Sequence, residues 1–138
     1  MAQRKIGDVV RREPLALPAS ATVQQACQEM HRQRIGAILV TDGDGRLEGI
    51  FTGRDAVRLL AEGKSPAHTH LAAVMTRNPA SMPPSYSALE ALRLMHDGGF
   101  RHVPVVAAGR VVGIVSAVYF RAVEHDRLDE ESGFWERI

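Results

Sequence analysis

Apolar and polar positions switch between two periods along this chain, and the same succession of switches occurs twice. Val23, Ala26, Cys27 and Met30 recur three and four residues apart, as one face of a helix does. Ala88, Ala91, Leu92 and Met95 repeat that stripe. Each stripe opens on a capping box, Thr22-x-x-Gln25 and Ser87-x-x-Glu90, whose side chains satisfy free N–H groups of the first turn. Gly98-Gly99 marks a stop for the second helix. An apolar run follows each helix, 35–40 and 100–106, and a return run comes after it, 46–52 and 110–116. Asp42-Gly43-Asp44-Gly45 predicts a hairpin turn, because glycine and aspartate accept positive φ. A second helix is expected to close each unit, at 54–63 and 117–126. Ahead of each unit a proline-punctuated stretch, 12–18 and 77–83, predicts extended chain.

The two units align residue by residue. At an offset of 65 (74 − 9), Val9 meets Val74, Arg12 meets Arg77, Pro14 meets Pro79, Met30 meets Met95 and Val40 meets Val105. After one gap the offset is 64 (109 − 45), and Gly45, Arg46, Gly49 and Ile50 meet Gly109, Arg110, Gly113 and Ile114. We read residues 5–63 as one repeat, 64–70 as a polar link, 71–125 as the second repeat and 126–138 as a tail. A unit this small has little core of its own. Two units packed sheet to sheet, related by a pseudo-two-fold axis, bury a shared apolar face in an α+β fold.

Composition narrows the function classes. The chain has 138 residues, enough for one compact domain or two small halves sharing a core. With 17 basic and 16 acidic side chains the formal charge is +1, so no strong field draws nucleic acid or anionic lipid. One cysteine, Cys27, excludes an internal disulfide and suits a reducing compartment; its place in an apolar stripe predicts a buried, inert thiol. No segment approaches the roughly 20 apolar residues of a membrane span, and no apolar run follows the first residues as in a signal peptide. A cytoplasmic protein is expected.

The chemistry gathers where a strand hands over to a helix. Gly49-Ile50-Phe51-Thr52-Gly53-Arg54-Asp55 places a hydroxyl and a carboxylate at that corner, and Gly113-Ile114-Val115-Ser116-Ala117-Val118-Tyr119 repeats it with the acid replaced. Thr52-x-x-Asp55 is also a capping box in its own right. Other candidates are weaker. His68-x-His70 offers two metal ligands where a zinc site needs three or four, so a solvated link and no metal are expected. His31 and His96 follow apolar stripes and are expected at the core edge. No nucleophile motif and no glycine-rich phosphate loop is present, so no catalytic residues are assigned.

The duplicated order of elements, the Gly-Ile-x-Thr/Ser corner and the strand Arg101-His102-Val103-Pro104-Val105-Val106 together resemble a tandem pair of cystathionine-β-synthase (CBS) domains, from about Lys5 to His125. The resemblance implies a regulatory, non-catalytic module with no required cofactor. Such pairs bind AMP, ADP or ATP, with NAD or S-adenosylmethionine as alternatives, in clefts between repeats. They signal to a partner protein that the sequence does not identify, and two pairs commonly form a disc-shaped homodimer. Carried over, Asp55 takes the ribose diol, since a carboxylate makes strong paired bonds to two hydroxyls. Thr52 and Arg54 face sugar and phosphate, and Met75, Asn78, Pro79, Ala80, Phe100, Arg101 and His102 form the facing wall. The mirror cleft would use Val10, Glu13, Pro14, Leu15, Ile35, Gly36, Ser116 and Tyr119. There the neutral phenol of Tyr119 cannot accept a diol in two bonds, so that cleft is expected to be empty or to hold something other than a ribose. The alternative reading is a ligand-free dimerisation or docking platform, with the tail residues Phe134 and Trp135 as a candidate contact.

Overall fold

The computed structural model describes residues 5–9 and 14–116. The expected closing helix at 117–126, the tail, and Val10, Glu13 and Tyr119 lie outside the described residues. The elements, in order, are α1 (Ile6–Val9), β1 (Ala16–Leu17), α2 (Val23–Gln33), β2 (Ala37–Thr41), β3 (Leu47–Thr52) and α3 (Gly53–Ala61). A 3-10 turn (Pro66–His68) leads to α4 (Leu71–Val74), β4 (Thr76–Arg77), α5 (Ala88–Gly98), β5 (His102–Ala107) and β6 (Arg110–Ser116).

Local chemistry explains these boundaries. The capping boxes predicted for α2 and α5 form, with Thr22 and Ser87 accepting from the backbone N–H groups of Gln25 and Glu90. Helix α5 stops at Gly99, whose φ of 69° is the left-handed conformation glycine takes without strain. The β2–β3 turn is fixed by the Asp42 carboxylate, which accepts from the N–H groups of Asp44 at 2.8 Å and Arg46 at 3.0 Å. In the β5–β6 turn Ala108 and Gly109 both have positive φ, 52° and 79°.

The strands form a four-stranded sheet ordered β1-β2-β3-β4 and a β5–β6 hairpin. Strand β2 has no polar face, and the fold uses both sides. Ile38 and Val40 join Val23, Met30, Phe51 and Leu59 in the first core. Ala37 and Leu39, one residue out of step, join Ile50, Val111 and Ile114 between the two strand layers. This is the expected sheet-to-sheet contact. At its edge Val111 N–H donates to the Gly45 carbonyl at 3.1 Å.

The repeats also trade pieces, which the sequence did not suggest. The opening helix of each docks in the other. Ile6 and Gly7 donate to the carbonyls of Tyr86 and Pro84, at 2.7 and 2.9 Å. Leu71 and Ala72, 65 residues later (71 − 6), donate to Ala21 and Ala19 at 2.8 and 3.0 Å. Ile6 is buried in the core of Met82, Ala91, Met95, Val103 and Val105, while Leu71 is buried in the first core. Strand β4 follows the same logic, pairing with β3 through Gly49↔Arg77 and Ile50↔Thr76.

Candidate functional site

Thr52 ends β3 and caps α3, with extended backbone at φ −118°. Its hydroxyl accepts from Asp55 N–H at 3.3 Å, and its own N–H donates to Asp55 Oδ2 at 2.9 Å. The Thr52 hydroxyl lies 3.1 Å from the same oxygen, and Arg58 Nη1 lies 3.4 Å from Oδ1. Asp55 is the one buried charged residue among those described. Its carboxylate is therefore held in one orientation, with acceptor capacity remaining on Oδ1.

Asp55 opens onto a cleft of about 580 Å³ between the repeats. From the first repeat come Gly36, Ile50, Thr52, Gly53 and Arg54. From the second come Thr76, Asn78, Pro79 and Ala80 after β4, and Gly99, Phe100, Arg101 and His102 at the start of β5. The β3–β4 pairing brings these walls together. Asn78 then turns the chain into Pro79 with φ of 48°, a conformation asparagine tolerates better than most residues, and its N–H donates to the Glu48 carbonyl at 3.3 Å.

Of the residues the resemblance assigned to this cleft, Thr52, Arg54, Asp55, Asn78, Pro79, Ala80, Phe100, Arg101 and His102 line it. Met75 does not: it is buried in the first core, packed close to Gly49. Gly36, assigned to the mirror cleft, lines this one instead, because the hairpin register sets Ala37 opposite Thr52 and Gly53 N–H donates to the Gly36 carbonyl at 3.0 Å. Leu15 and Ile35, also assigned to the mirror cleft, pack against the first core. Ser116 sits opposite His102 in the β5–β6 ladder. Gly53, Gly99, Ile50 and Thr76 also line the cleft, though the resemblance assigned none of them to it. Counting register along the hairpin finds Gly36 and Gly53; nothing local marks Thr76.

The cleft wall is cationic. Arg54 and Arg101 are exposed, and Asp55, its only carboxylate among the lining residues, is already paired with Arg58. Two first-turn N–H groups of α3 are used within the fold, Gly53 on Gly36 and Asp55 on Thr52. An anion in this cleft would therefore be met mainly by side chains. Burial, and secondarily Arg101 beside it, push the His102 imidazole below its ordinary value. Because the unfolded chain then binds the proton more readily, this residue's contribution to stability is present above the unfolded value of about 6.5 and fades as pH falls below it. Unfolding measured from pH 8 to 5 should show this loss, and His102→Gln should reduce it; an unchanged profile in the variant would assign the pH dependence elsewhere.

The remaining candidates have structural employment. His68 Nδ1 pairs with Ser65 Oγ at 2.9 Å, and His70 Nδ1 meets the Ser20 carbonyl at 2.8 Å, tying the link to the first repeat. No cluster of three metal-ligating side chains occurs among the described residues. His31 and His96 are exposed at the last turns of their helices rather than at the core edge. Cys27 packs against the first core, and burial raises its thiol above the ordinary value. No helix among the described residues is long and apolar enough to cross a membrane.

The model of the CBS domain matches this chain twice, over residues 6–62 and 71–121. The CBS domain-containing protein CBSCBSPB2 of Arabidopsis thaliana is 43% identical over 102 residues, which are 73% of this chain and 19% of that protein's length. The chain thus spans a minor part of this curated relative. The CBS domain pair of protein MJ0100, solved in complex with 5′-methylthioadenosine and S-adenosyl-L-methionine, superposes with a TM-score of 0.84 at 23% identity, over 91% of this chain and 99% of that one. The CBS domain protein PAE2072 from Pyrobaculum aerophilum, complexed with AMP, superposes with a TM-score of 0.80 at 23% identity, over 94% and 99% of the two chains. These two likenesses bear on the fold.

Proposed function

This chain belongs to the CBS domain family as a tandem pair, and from that premise we propose that it is a regulatory module whose cleft at Asp55 takes an adenine nucleotide. The observation that carries the reading is the cleft itself: one buried carboxylate with acceptor capacity left on Oδ1 beside Arg58, two exposed arginines and an aromatic ring, contributed by both repeats. Asp55 takes the ribose diol, Arg54 and Arg101 take phosphate, and Phe100 and the backbone around Ala80 take the base. The adenosine ligands of the two solved neighbours support that class. A ligand spanning both walls ties the repeats together, and it shifts a partner-facing equilibrium by its differential affinity for the two arrangements. No catalytic step is assigned. Pairing of two copies belongs to the same reading, supported by Val57 and Leu60, which are 66% and 65% exposed one turn apart on α3.

The test is discrimination at the 2′ position. AMP should raise the thermal midpoint more than 2′-deoxy-AMP, with affinities differing by roughly 10–100-fold, as for one charge-assisted hydrogen bond. Asp55→Asn keeps an acceptor for the Thr52 N–H and should erase that ratio. Equal binding of the two nucleotides by the wild type would remove Asp55 from the ribose. One observation favours the docking-platform alternative: Thr52 and Arg58 already engage both Asp55 oxygens. On that reading none of AMP, ADP, ATP, NAD or S-adenosylmethionine raises the midpoint.

A further inference from the structure

We propose that phosphate binding in this cleft is proton-linked through His102, with a neutral imidazole in the free cleft and an imidazolium beside a bound phosphate. The proposal rests on the nucleotide reading above. His102 is the first residue of β5, half-buried in the cleft wall. Its Nε2 edge faces Gly36, and a Cβ there would lie 3.2 Å from that nitrogen, so glycine leaves the ring its place.

The charged groups around it are few. Arg101 precedes it in the chain, just ahead of β5, and Arg54 and Asp55 come from α3. Strand β6 opposes it with Ser116, and the β4 side offers Thr76 and Asn78, none of which titrates near neutrality. Burial and the Arg101 charge both disfavour the imidazolium in the free state. A phosphate held in the same cleft by Arg54 and Arg101 reverses that balance, because it brings an opposite charge close to the ring. The guanidiniums stay charged at every accessible pH, so they set the preference for an anion without making it pH-dependent. Among the described lining residues His102 is the only imidazole, the side chain whose ordinary value lies closest to neutrality. The two roles therefore separate, and the chain answers to nucleotide and to proton through one pocket.

Calorimetry decides this, with AMP and adenosine titrated into the full chain between pH 6.5 and 8 in two buffers of different ionisation enthalpy. AMP should take up protons at pH 7, and its affinity should fall by up to tenfold per pH unit above that, the limit for one linked proton. Adenosine, lacking the phosphate, should take up none. The ligand cannot be the source: its phosphate has a second pKa of about 6, and contact with cations makes it release protons, the opposite sign. His102→Gln should abolish the uptake. The wild-type measurement stands on its own should that variant unfold. AMP binding with no proton uptake and a flat affinity would overturn the proposal while leaving the nucleotide reading intact, as would uptake retained in His102→Gln. Failure of both AMP and adenosine to bind would remove the nucleotide reading, and this inference with it.

Discussion

Leu71→Ala is expected to lower the unfolding free energy by about 3 kcal/mol, within the 2–5 kcal/mol typical of a buried leucine truncated to alanine. By sequence Leu71 opens the second repeat. In space it is fully buried in the first, among Val23, Met30, Phe51 and Leu59. Its own N–H holds α4 to the Ala21 carbonyl. The backbone bond survives the substitution, so the site cannot collapse freely onto the vacancy, and the loss includes a cavity contribution as well as lost transfer energy. Against a total stability of roughly 5–15 kcal/mol this is a large fraction. Urea unfolding monitored by far-ultraviolet circular dichroism checks it. A loss under about 1 kcal/mol, the scale of an ordinary substitution, would mean that α4 is not seated in the first core.

Gly49→Ala should lower stability by about 1–3 kcal/mol, the range for overpacking, and should weaken the nucleotide response beyond that loss. A Cβ at Gly49 would lie 2.7 Å from Met75 Sδ and 2.8 Å from the Thr76 carbonyl oxygen. The methionine end can swing aside. The carbonyl belongs to β4, which pairs with β3 at this residue, so it yields only by loosening that pairing. Strand β4 carries Thr76 and leads directly into Asn78, Pro79 and Ala80 of the cleft wall. Gly43→Ala is the matched control, since nothing lies within 4 Å of a Cβ there. Urea midpoints with and without AMP report both effects. A Gly49 variant as stable and as responsive as Gly43→Ala would show that the strand has room to give.

What was legible in the residues, and what was not, divides by range. Capping boxes, the Asp42 turn and the Gly99 stop act over a few residues, and each residue type announces its part. The duplication carried the fold further, because a unit too small for its own core must pack against its copy. Placing Asp55 opposite the Asn78–Ala80 and Phe100–His102 segments needed the family resemblance; the spacing alone left Thr52-x-x-Asp55 as a helix cap. The exchange of α1 and α4 was not legible. Each is one short turn, and its hydrogen bonds run to carbonyls of Ala19, Ala21, Pro84 and Tyr86, which have no sequence signature. Met75 was misplaced for a related reason: a methionine beside a strand suits a cleft wall or a core equally, and only the close approach of β4 to Gly49 turns it inward.

The exchanged helices describe what one repeat would be in isolation. It would have an empty slot where its neighbour's Ile6 or Leu71 belongs, and a helix of its own with nowhere to dock. Two separate copies would satisfy each other only by trading arms, so this chain is in effect a domain-swapped dimer written as one polypeptide. The link at 64–70 replaces an encounter in solution with an effective concentration on the order of millimolar. Assembly of the two halves then no longer depends on how much protein the cell makes, and a cut in that link would restore the dependence.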